Sequence, residues 1–391
     1  MWGQPGVTRR PNRSSEPARG YICKVPTAPR LLMGPGPSNP YPEVFEALGR
    51  PLLGHLDPEF LVLLDEVQER LRTVFATANR LTLPISGTGS AGMEASFVNV
   101  IAPGDVVVVG VNGLFGERMC DIADRLGAEV VRVDAKWGEP LDIDELLGAH
   151  GSASVLALVH AETSTGVRND VGRLAGRSGD ALVVVDCVTS LGGIEVDIDA
   201  WGVDISYSAT QKCLGVPPGL APLTVSDRAR HRFVDKPVSW YFDLAQIARY
   251  TDPDATGAKR LYHHTAPVGM IAGLHAGLGV LLDEGLPAAW ARHAACGQLL
   301  WDGLERLGLE LLVERDHRLP QLTTVLVPHD LPRGADEATV RSELLQKYSI
   351  EIGSGVGPLA GKVWRIGVMG GTARAENVEF LLKALAEVLA R

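Results

Sequence analysis

Lys212 is the residue whose surroundings in this sequence most clearly suggest chemistry. It directly follows the β-like run 204–209, and it is flanked by Thr210, by Gln211 and by a loop rich in glycine and proline that ends at Gly219. A lysine held in such a restricted and partly desolvated place has a lowered pKa, so its neutral amine becomes available to form an imine. Taken alone, a lysine is more often a solvated surface residue.

Two further positions at the ends of apolar runs carry polar side chains. Asp186 closes the run 182–186, and a carboxylate at the end of a buried strand is costly to desolvate unless a cation meets it. The alternatives for this residue are a helix cap or an ordinary ion pair. The hydroxyls of 163–165 follow the run 155–160 and could reach a substituent on a bound ring, or they could belong to an ordinary turn.

A glycine-rich turn follows the strand-like run that begins at Leu83. Gly87, Gly89 and Gly92 fit the G-x-G-x-x-G pattern of dinucleotide sites. Such a site also needs an acid at the end of the next strand, whereas Asp105 precedes that strand. The turn therefore predicts a site for one phosphate, made of backbone N–H groups at a helix N-terminus and of neighbouring hydroxyls. A structural turn without a ligand is the alternative.

Together these features match one cofactor. A phosphate turn, a strand-end carboxylate and a lysine 26 residues after that carboxylate are the three contacts that pyridoxal phosphate needs. They would serve as the phosphate cradle, the partner of the pyridine nitrogen and the imine-forming amine.

The composition argues against several other classes of protein. The chain has 391 residues, of which 46% are hydrophobic and 21% charged, as in ordinary globular proteins. Its net charge of -10 gives no general attraction for phosphate backbones, so we expect no nucleic-acid partner. The five cysteines are dispersed, which suggests free thiols in a reducing compartment rather than a metal site. Since no apolar run is long enough to span a membrane, we expect a cytoplasmic protein.

The length favours two domains, because one hydrophobic core rarely grows beyond about 250 to 300 residues. Valine-rich runs alternate with helix-like stretches over 31–285, which predicts an α/β domain with a mainly parallel sheet. The runs are nearly continuous in apolar residues, so we expect strands covered on both faces at 106–109, 130–133, 155–160 and 182–186.

The remainder of the chain has a different pattern of predicted helices and strands. Mixed helices and strands over 286–391 predict a smaller α+β domain, closed by a helix with an apolar stripe from Val378 to Leu389. Residues 1–30 are basic and contain several prolines, so we expect a disordered extension there.

These residues stand in nine short segments whose order is that of a known family. The chain resembles the class V, fold-type I aminotransferases, and within them the alanine–glyoxylate and serine–glyoxylate (serine–pyruvate) group. The resemblance covers about nine tenths of the chain and implies a seven-stranded sheet in the large domain. Its segments are 34–39 (GPGPSN), 86–89 (SGTG), 112–116 (NGLFG), 162–166 (ETSTG), Asp186 with 190–193 (SLGG), 211–212 (QK), 217–219 (PPG), 262–265 (YHHT) and 365–367 (RIG).

The resemblance also implies a role for individual residues. Lys212 would form the imine with pyridoxal phosphate, Asp186 would pair with its ring nitrogen, and Arg365 would grip the substrate carboxylate beside Gly36. The second subunit of a homodimer would contribute Tyr262 and Thr265. The other cofactor contacts would come from Thr88, Gly89, Ser90, Phe115, Thr163, Val188 and Gln211.

Two of these positions depart from the pattern of the animal alanine–glyoxylate enzymes. Ser90 stands where those enzymes have a histidine, and Phe115 stands where they have a tryptophan. Phenylalanine still offers an aromatic face for stacking on a ring. The change at Ser90 alters a contact that flanks the cofactor.

The activity implied by the resemblance is a ping-pong transamination of alanine or serine with glyoxylate or pyruvate as acceptor. Close alternatives are the (S)-ureidoglycine–glyoxylate and pyridoxamine–pyruvate aminotransferases; for the first of these we expect asparagine in place of Tyr262. Cysteine desulfurases and phosphoserine aminotransferases are less similar. A dehydrogenase that binds nicotinamide through 87–92 and a non-enzymatic scaffold of the same fold are remote alternatives.

Overall fold

The protein is described by a computed structural model that covers residues 29–149, 151–251, 260–331 and 334–390. The extension predicted over 1–30 therefore lies almost entirely outside the described residues. The helices are α1 Pro42–Leu48, α2 Pro58–Phe75, α3 Gly89–Val98, α4 Leu114–Arg125, α5 Ile143–Gly148, α6 Ile198–Trp201, α7 Asp227–Arg230, α8 Leu244–Thr251, α9 Val268–Glu284, α10 Leu286–Arg306, α11 Glu337–Tyr348 and α12 Ala375–Leu389. The strands are β1 Leu31–Leu32, β2 Leu81–Ser86, β3 Val106–Val111, β4 Glu129–Asp134, β5 Val155–Val159, β6 Ala161–Glu162, β7 Val167–Arg168, β8 Leu182–Asp186, β9 Ile205–Tyr207, β10 Leu220–Val225, β11 Leu322–Leu326, β12 Ile350–Glu351, β13 Gly353–Ser354 and β14 Val363–Gly367.

The central sheet has seven strands in the order β2-β10-β9-β8-β5-β3-β4. Strand β10 is antiparallel to both of its neighbours, and every other pair is parallel. The predicted mainly parallel sheet of seven strands is therefore confirmed. Because the strands that run together end at one edge of the sheet, the residues just after them meet there.

Valine-rich strands form the middle of this sheet because both of its faces are covered. On β3, Val108 packs into a core that α2 and α9 complete, while Val107 and Val109 pack into a second core with α3 and α4. This alternation follows the period of two that a strand imposes on its side chains. Both sets need to be apolar, which explains the near-continuous runs.

Strand β4 does not share this environment. Although burial on both faces is expected for the run 130–133, β4 lies at the sheet edge, and Glu129, Arg132 and Asp134 on it are exposed. An edge strand has one neighbour and less cover, so polar side chains are tolerated on it. The expectation was wrong for this strand.

The C-terminal part of the chain has its own core. Strands β11, β14 and β13 form a three-stranded sheet, and the predicted apolar stripe of α12 packs there with Val378, Leu381 and Leu385 buried. Strand β1 pairs with β12, so the first described strand lies with this C-terminal part. The division near residue 285, between α9 and α10, stays a prediction.

Candidate active site

Lys212 lies in a turn that follows β9 and is held from two sides. Thr210 Oγ1 donates to the Pro217 carbonyl at 2.7 Å, which closes the loop beyond the lysine. On the other side, Ser38 donates its N–H to the Gln211 carbonyl at 2.9 Å and its hydroxyl to the Lys212 carbonyl at 2.8 Å. The segment 34–39, which the sequence analysis singled out, thus holds the lysine turn in place through hydrogen bonds.

The amine of Lys212 is buried, with 8% of the residue exposed, and it donates to the carbonyl of Pro35. Burial lowers the pKa of this amine to about 8, and the positive charge of Arg365 adds to that effect while Asp186 opposes it. Gly36 lies against the same side chain, and a Cβ there would come within 2.8 Å of Nζ. Its φ of +110° also favours glycine.

Asp186 ends β8, next to β9, and only 2% of it is exposed. Its carboxylate accepts the Val188 N–H at 2.8 Å, and burial raises its pKa to about 7. The hydroxyl of Tyr207 lies beside it but has no hydrogen-bond partner among the described residues. Since Asp186 forms no ion pair with a described residue, this site has a place for a cationic group of a ligand.

The glycine-rich turn leads into α3 as predicted. Thr88 precedes this helix without capping it, so the first N–H groups are left for another acceptor. A Cβ at Gly89 would come within 2.9 Å of Val188, which explains the glycine. The Oε1 atom of Gln211 is buried and has no partner among the described residues. The uncapped N–H groups at the start of α3 fit one phosphate group.

The hydroxyl of Ser90 forms a hydrogen bond at this turn. Arg118 Nη1 donates to the Ser90 hydroxyl at 2.9 Å, and its guanidinium lies 5.0 Å from the centre of the Phe115 ring. A positive charge therefore lies beside the candidate phosphate site. Sequence analysis missed Arg118, although its position three residues after Phe115 on one helix would have indicated this contact.

Arg365 reaches the site from β14 of the C-terminal part. It is 9% exposed, and it donates from Nε to the Ser354 carbonyl at 2.7 Å and from Nη1 to the Thr163 carbonyl at 3.2 Å. Burial lowers its pKa, and the carboxylate of Glu162 opposes this change. Arg365 forms no ion pair with a described residue, so its remaining N–H groups are available to a carboxylate.

Thr163 and Glu162 follow β5 at the same sheet edge. The hydroxyl of Thr163 lies against that of Thr189, and its contact with the cofactor stays a prediction. Glu162 is fully buried, and burial raises its pKa. Sequence analysis assigned no role to Glu162, because a carboxylate in so short a strand gives no signal of its burial.

Tyr262 and Thr265 are not brought to the lysine within one chain. Both are exposed, and their hydroxyls lie 3.3 Å apart. In the described residues neither side chain forms a hydrogen bond with Lys212 or Asp186. The adjacent His264 does contact Ser86 at 3.1 Å, so the segment lies near the phosphate turn.

Cys213 follows the lysine but does not resemble a nucleophile. It is fully buried, and burial raises its pKa to about 12, so the thiol stays protonated. The described residues contain no cluster of three metal-binding side chains. Nor does any described helix combine the length and apolar character needed to cross a membrane.

A mainly parallel sheet that brings a buried lysine, a buried aspartate and an uncapped helix N-terminus to one edge is the arrangement expected of a fold-type I transferase. The family model described as aminotransferase class-V matches residues 41–375. An alanine–glyoxylate aminotransferase from Drosophila melanogaster is 40% identical over 370 residues, which is 92% of this chain and 92% of that protein. The chain belongs to the class V aminotransferases, and the prediction of family and fold is confirmed.

Two further relatives extend this result. An (S)-ureidoglycine–glyoxylate transaminase from Bacillus subtilis is 37% identical and covers 95% of this chain and 93% of its own. The crystal structure of an alanine–glyoxylate aminotransferase from Nostoc sp. is 44% identical, with a TM-score of 0.87 over 98% of this chain and 100% of that chain.

Proposed function

We propose that this enzyme transfers the amino group of a small L-amino acid, alanine or serine, to glyoxylate or pyruvate with pyridoxal phosphate as cofactor. The observation that carries the proposal is that Lys212 and Asp186 are both buried at the ends of the neighbouring strands β9 and β8. Arg365 lies close enough to alter the pKa of the lysine. The names of the alanine–glyoxylate relatives support the choice of substrates.

The buried groups suit pyridoxal phosphate in charge as well as in kind. Among the described residues Asp186 forms no ion pair, and the first turn of α3 has N–H groups that no side chain caps. Thr88, Gly89 and Gln211 would hold the phosphate, and Phe115 and Val188 would lie against the ring. When bound, the cofactor supplies an electrophilic carbon and an electron-withdrawing ring.

Arg365 would bind and orient the substrate. Its Nε and one N–H of Nη1 are used by the two backbone carbonyls, so these contacts leave Nη2 and the second N–H of Nη1 for a ligand. These donors form the planar fork that accepts a carboxylate in a two-pronged pair. The grip fixes the substrate Cα with respect to Lys212.

Lys212 would then move a proton. With its pKa lowered to about 8, an appreciable fraction of the amine is neutral near neutral pH. The neutral Nζ can take the proton from the substrate Cα and later return it, as a general base and acid. Asp186 would hold a proton on the pyridine nitrogen, where its negative charge is compensated.

A second copy of the chain would complete the site with Tyr262 and Thr265. Large apolar side chains are exposed on the surface around Tyr262, at Leu52, Leu56 and Trp240. The rings of His55 and Tyr262 lie 5.3 Å apart, so these segments form one patch. Exposed apolar patches of this kind are typical of protein interfaces.

The (S)-ureidoglycine–glyoxylate activity is the second candidate, because a relative of that name covers nearly the whole chain. Tyr262, at the position where we expect asparagine for that activity, favours the alanine or serine activity. The pyridoxamine–pyruvate reaction is a weaker candidate, since the solved enzyme of that name is 29% identical.

A half-reaction tests the proposal directly. The purified protein loaded with pyridoxal phosphate is mixed with L-alanine or L-serine without any acceptor, and the visible absorption and the released keto acid are measured. We expect the visible band to shift to shorter wavelength while one equivalent of pyruvate or hydroxypyruvate forms. Addition of glyoxylate should restore the band and release glycine. An unchanged band with both donors, in a protein that responds to (S)-ureidoglycine, would refute the assignment of donor.

A further inference from the structure

Helix α4 begins without a capping residue of its own. Gly113 precedes Leu114 in an extended conformation and has no side chain to accept the first N–H groups of the helix. Four such N–H groups at every helix start need partners, and buried ones without a partner are costly. Phe115, which is expected to lie on the cofactor ring, belongs to this first turn.

The missing cap comes from residues 162–164 of another element. Phe115 N–H donates to Glu162 Oε2 at 3.2 Å, and Leu114 N–H donates to the Ser164 hydroxyl at 3.0 Å. That hydroxyl in turn donates to Glu162 Oε1 at 2.6 Å, and the Ser164 N–H does so at 3.0 Å. We call this arrangement the Glu162–Ser164 cap.

Glu162 accepts three hydrogen bonds in this cap, from the Phe115 N–H, the Ser164 N–H and the Ser164 hydroxyl. Such donors favour the charged form of the carboxyl group. The positive end of the α4 dipole stabilises the charge. Although burial raises the pKa of Glu162, the Ser164, Phe115 and Gly116 donors oppose this change.

Gly113 is needed for this close approach. A Cβ at this position would clash with the Glu162 side chain and with the Ser164 hydroxyl. The cap and the helix start therefore pack with no space for a side chain between them.

The same cap reaches two other groups of the site. Thr163 lies between the two capping residues, and its carbonyl accepts from Arg365 at 3.2 Å. The charge of Glu162 also stabilises the charged guanidinium of Arg365, which opposes the effect of burial on the pKa of Arg365. A displacement of Glu162 would thus move the aromatic ring, the Thr163 hydroxyl and the arginine together.

We propose that Glu162 is a positioning residue that sets the place of Phe115 and Arg365 relative to the cofactor and the substrate. The proposal rests on the proposed function, because Phe115 and Arg365 matter only if they meet these ligands. It assigns Glu162 no contact with the reacting atoms.

The test compares Glu162→Gln with Asp336→Asn. An amide at 162 keeps the size of the side chain but replaces one acceptor oxygen with an NH2 group, which must face either the Phe115 N–H or the Ser164 N–H. Asp336 is the matched control, because it caps α11 through Thr339 N–H at 2.8 Å and lies in the C-terminal part. The first readout is hydrogen exchange of the full chain without cofactor, over the amides 114–116.

We expect Glu162→Gln to speed exchange at 114–116 on the order of tenfold. With cofactor added, its affinity for pyridoxal phosphate should fall by a similar factor, and the visible circular dichroism of the bound cofactor should change. Asp336→Asn should affect exchange only at the start of α11 and leave both cofactor measurements unchanged.

Unchanged exchange at 114–116, or faster exchange with unchanged affinity and circular dichroism, would overturn the proposal. If Glu162→Gln does not fold, Ser164→Ala keeps the charge and removes one link, so faster exchange at Leu114 with a smaller loss of affinity is expected. A wild-type protein that binds no pyridoxal phosphate would refute the proposed function. The exchange data would still test whether Glu162 caps α4.

Discussion

At the scale of single residues, the site is defined by charged side chains that have no ion-pair partner among the described residues. Arg365 and Asp186 are both buried, and neither forms an ion pair with a described residue. Burying an unpaired charge costs several kcal/mol, so such residues are retained where a ligand compensates them. A carboxylate would do so for Arg365, and a protonated ring nitrogen would do so for Asp186.

The role of Arg365 predicts a defect in substrate binding. Arg365→Gln should raise the KM for L-alanine roughly 100-fold, because a two-pronged charged pair is lost. Arg365→Lys should recover only part of this loss, since an ammonium cannot present two parallel N–H groups. Steady-state kinetics measure the effect, and Arg125→Gln, at an exposed arginine of α4, is the control. An unchanged KM in Arg365→Gln would assign the substrate carboxylate to another residue.

Sequence reasoning identified most polar side chains of the candidate site for a simple reason. Lys212, Asp186 and Thr163 directly follow apolar runs, and the ends of parallel strands meet at one edge of the sheet. Arg118, Glu162 and the Pro35 carbonyl were missed. The helical spacing of Arg118 from Phe115 was a usable signal, whereas the contacts of Glu162 and Pro35 depend on how segments distant in the chain pack together.

At the scale of elements, helix α10 supports the lysine turn through one histidine. His293 Nε2 accepts the Gly370 N–H at 3.1 Å, while Nδ1 donates to the Ala289 carbonyl at 2.7 Å. A Cβ at Gly370 would come within 3.1 Å of the Lys212 carbonyl, so this glycine lies directly on the lysine turn. The two contacts of His293 require a neutral ring.

This arrangement predicts a loss of stability in acid. Burial lowers the pKa of His293 to about 4, below its ordinary value of 6.5. Between these pH values the unfolded chain binds more protons than the folded chain, so stability falls as the pH decreases, by up to about 3 kcal/mol. His160, whose pKa burial lowers to about 3, acts in the same direction.

His293→Gln should therefore lower the Tm at neutral pH but weaken its decline in acid. The dependence of the Tm on pH should become weaker but persist, because His160 still titrates. Thermal unfolding of the cofactor-free protein across this pH range measures the effect, with exposed His231→Gln as the control. Parallel curves for the wild type and His293→Gln would contradict the neutral, buried state of His293.

At the scale of the whole molecule, the sequence predicted the type of sheet correctly, but it did not predict which strands are neighbours. The valine-rich runs indicated a covered, mainly parallel sheet because both of its faces are packed by helices. They did not show that β4 would be an edge strand, or that β1 would pair with β12 more than 300 residues later in the chain. Strand order and distant pairing depend on the packing of the entire chain.

The proposed homodimer predicts that two inactive variants complement each other. Lys212→Ala lacks the amine, and Tyr262→Ala lacks the group that the other subunit should contribute. In hybrid dimers, one of the two sites would contain both native residues. Mixing by co-refolding should restore about one quarter of wild-type activity at a cofactor concentration that fills the native sites, because half of the dimers are hybrids with one intact site. Activity equal only to the sum of the separate variants would contradict a shared site.

The central claim is that Lys212 holds pyridoxal phosphate through a carbon–nitrogen bond, and chemical reduction tests it most directly. The loaded protein is treated with borohydride, digested and analysed by mass spectrometry of its peptides. We predict that the added pyridoxyl group is found on the peptide that contains Lys212 and that Lys212→Ala carries none. An unmodified Lys212 peptide, or the same modification on another lysine, would contradict the account.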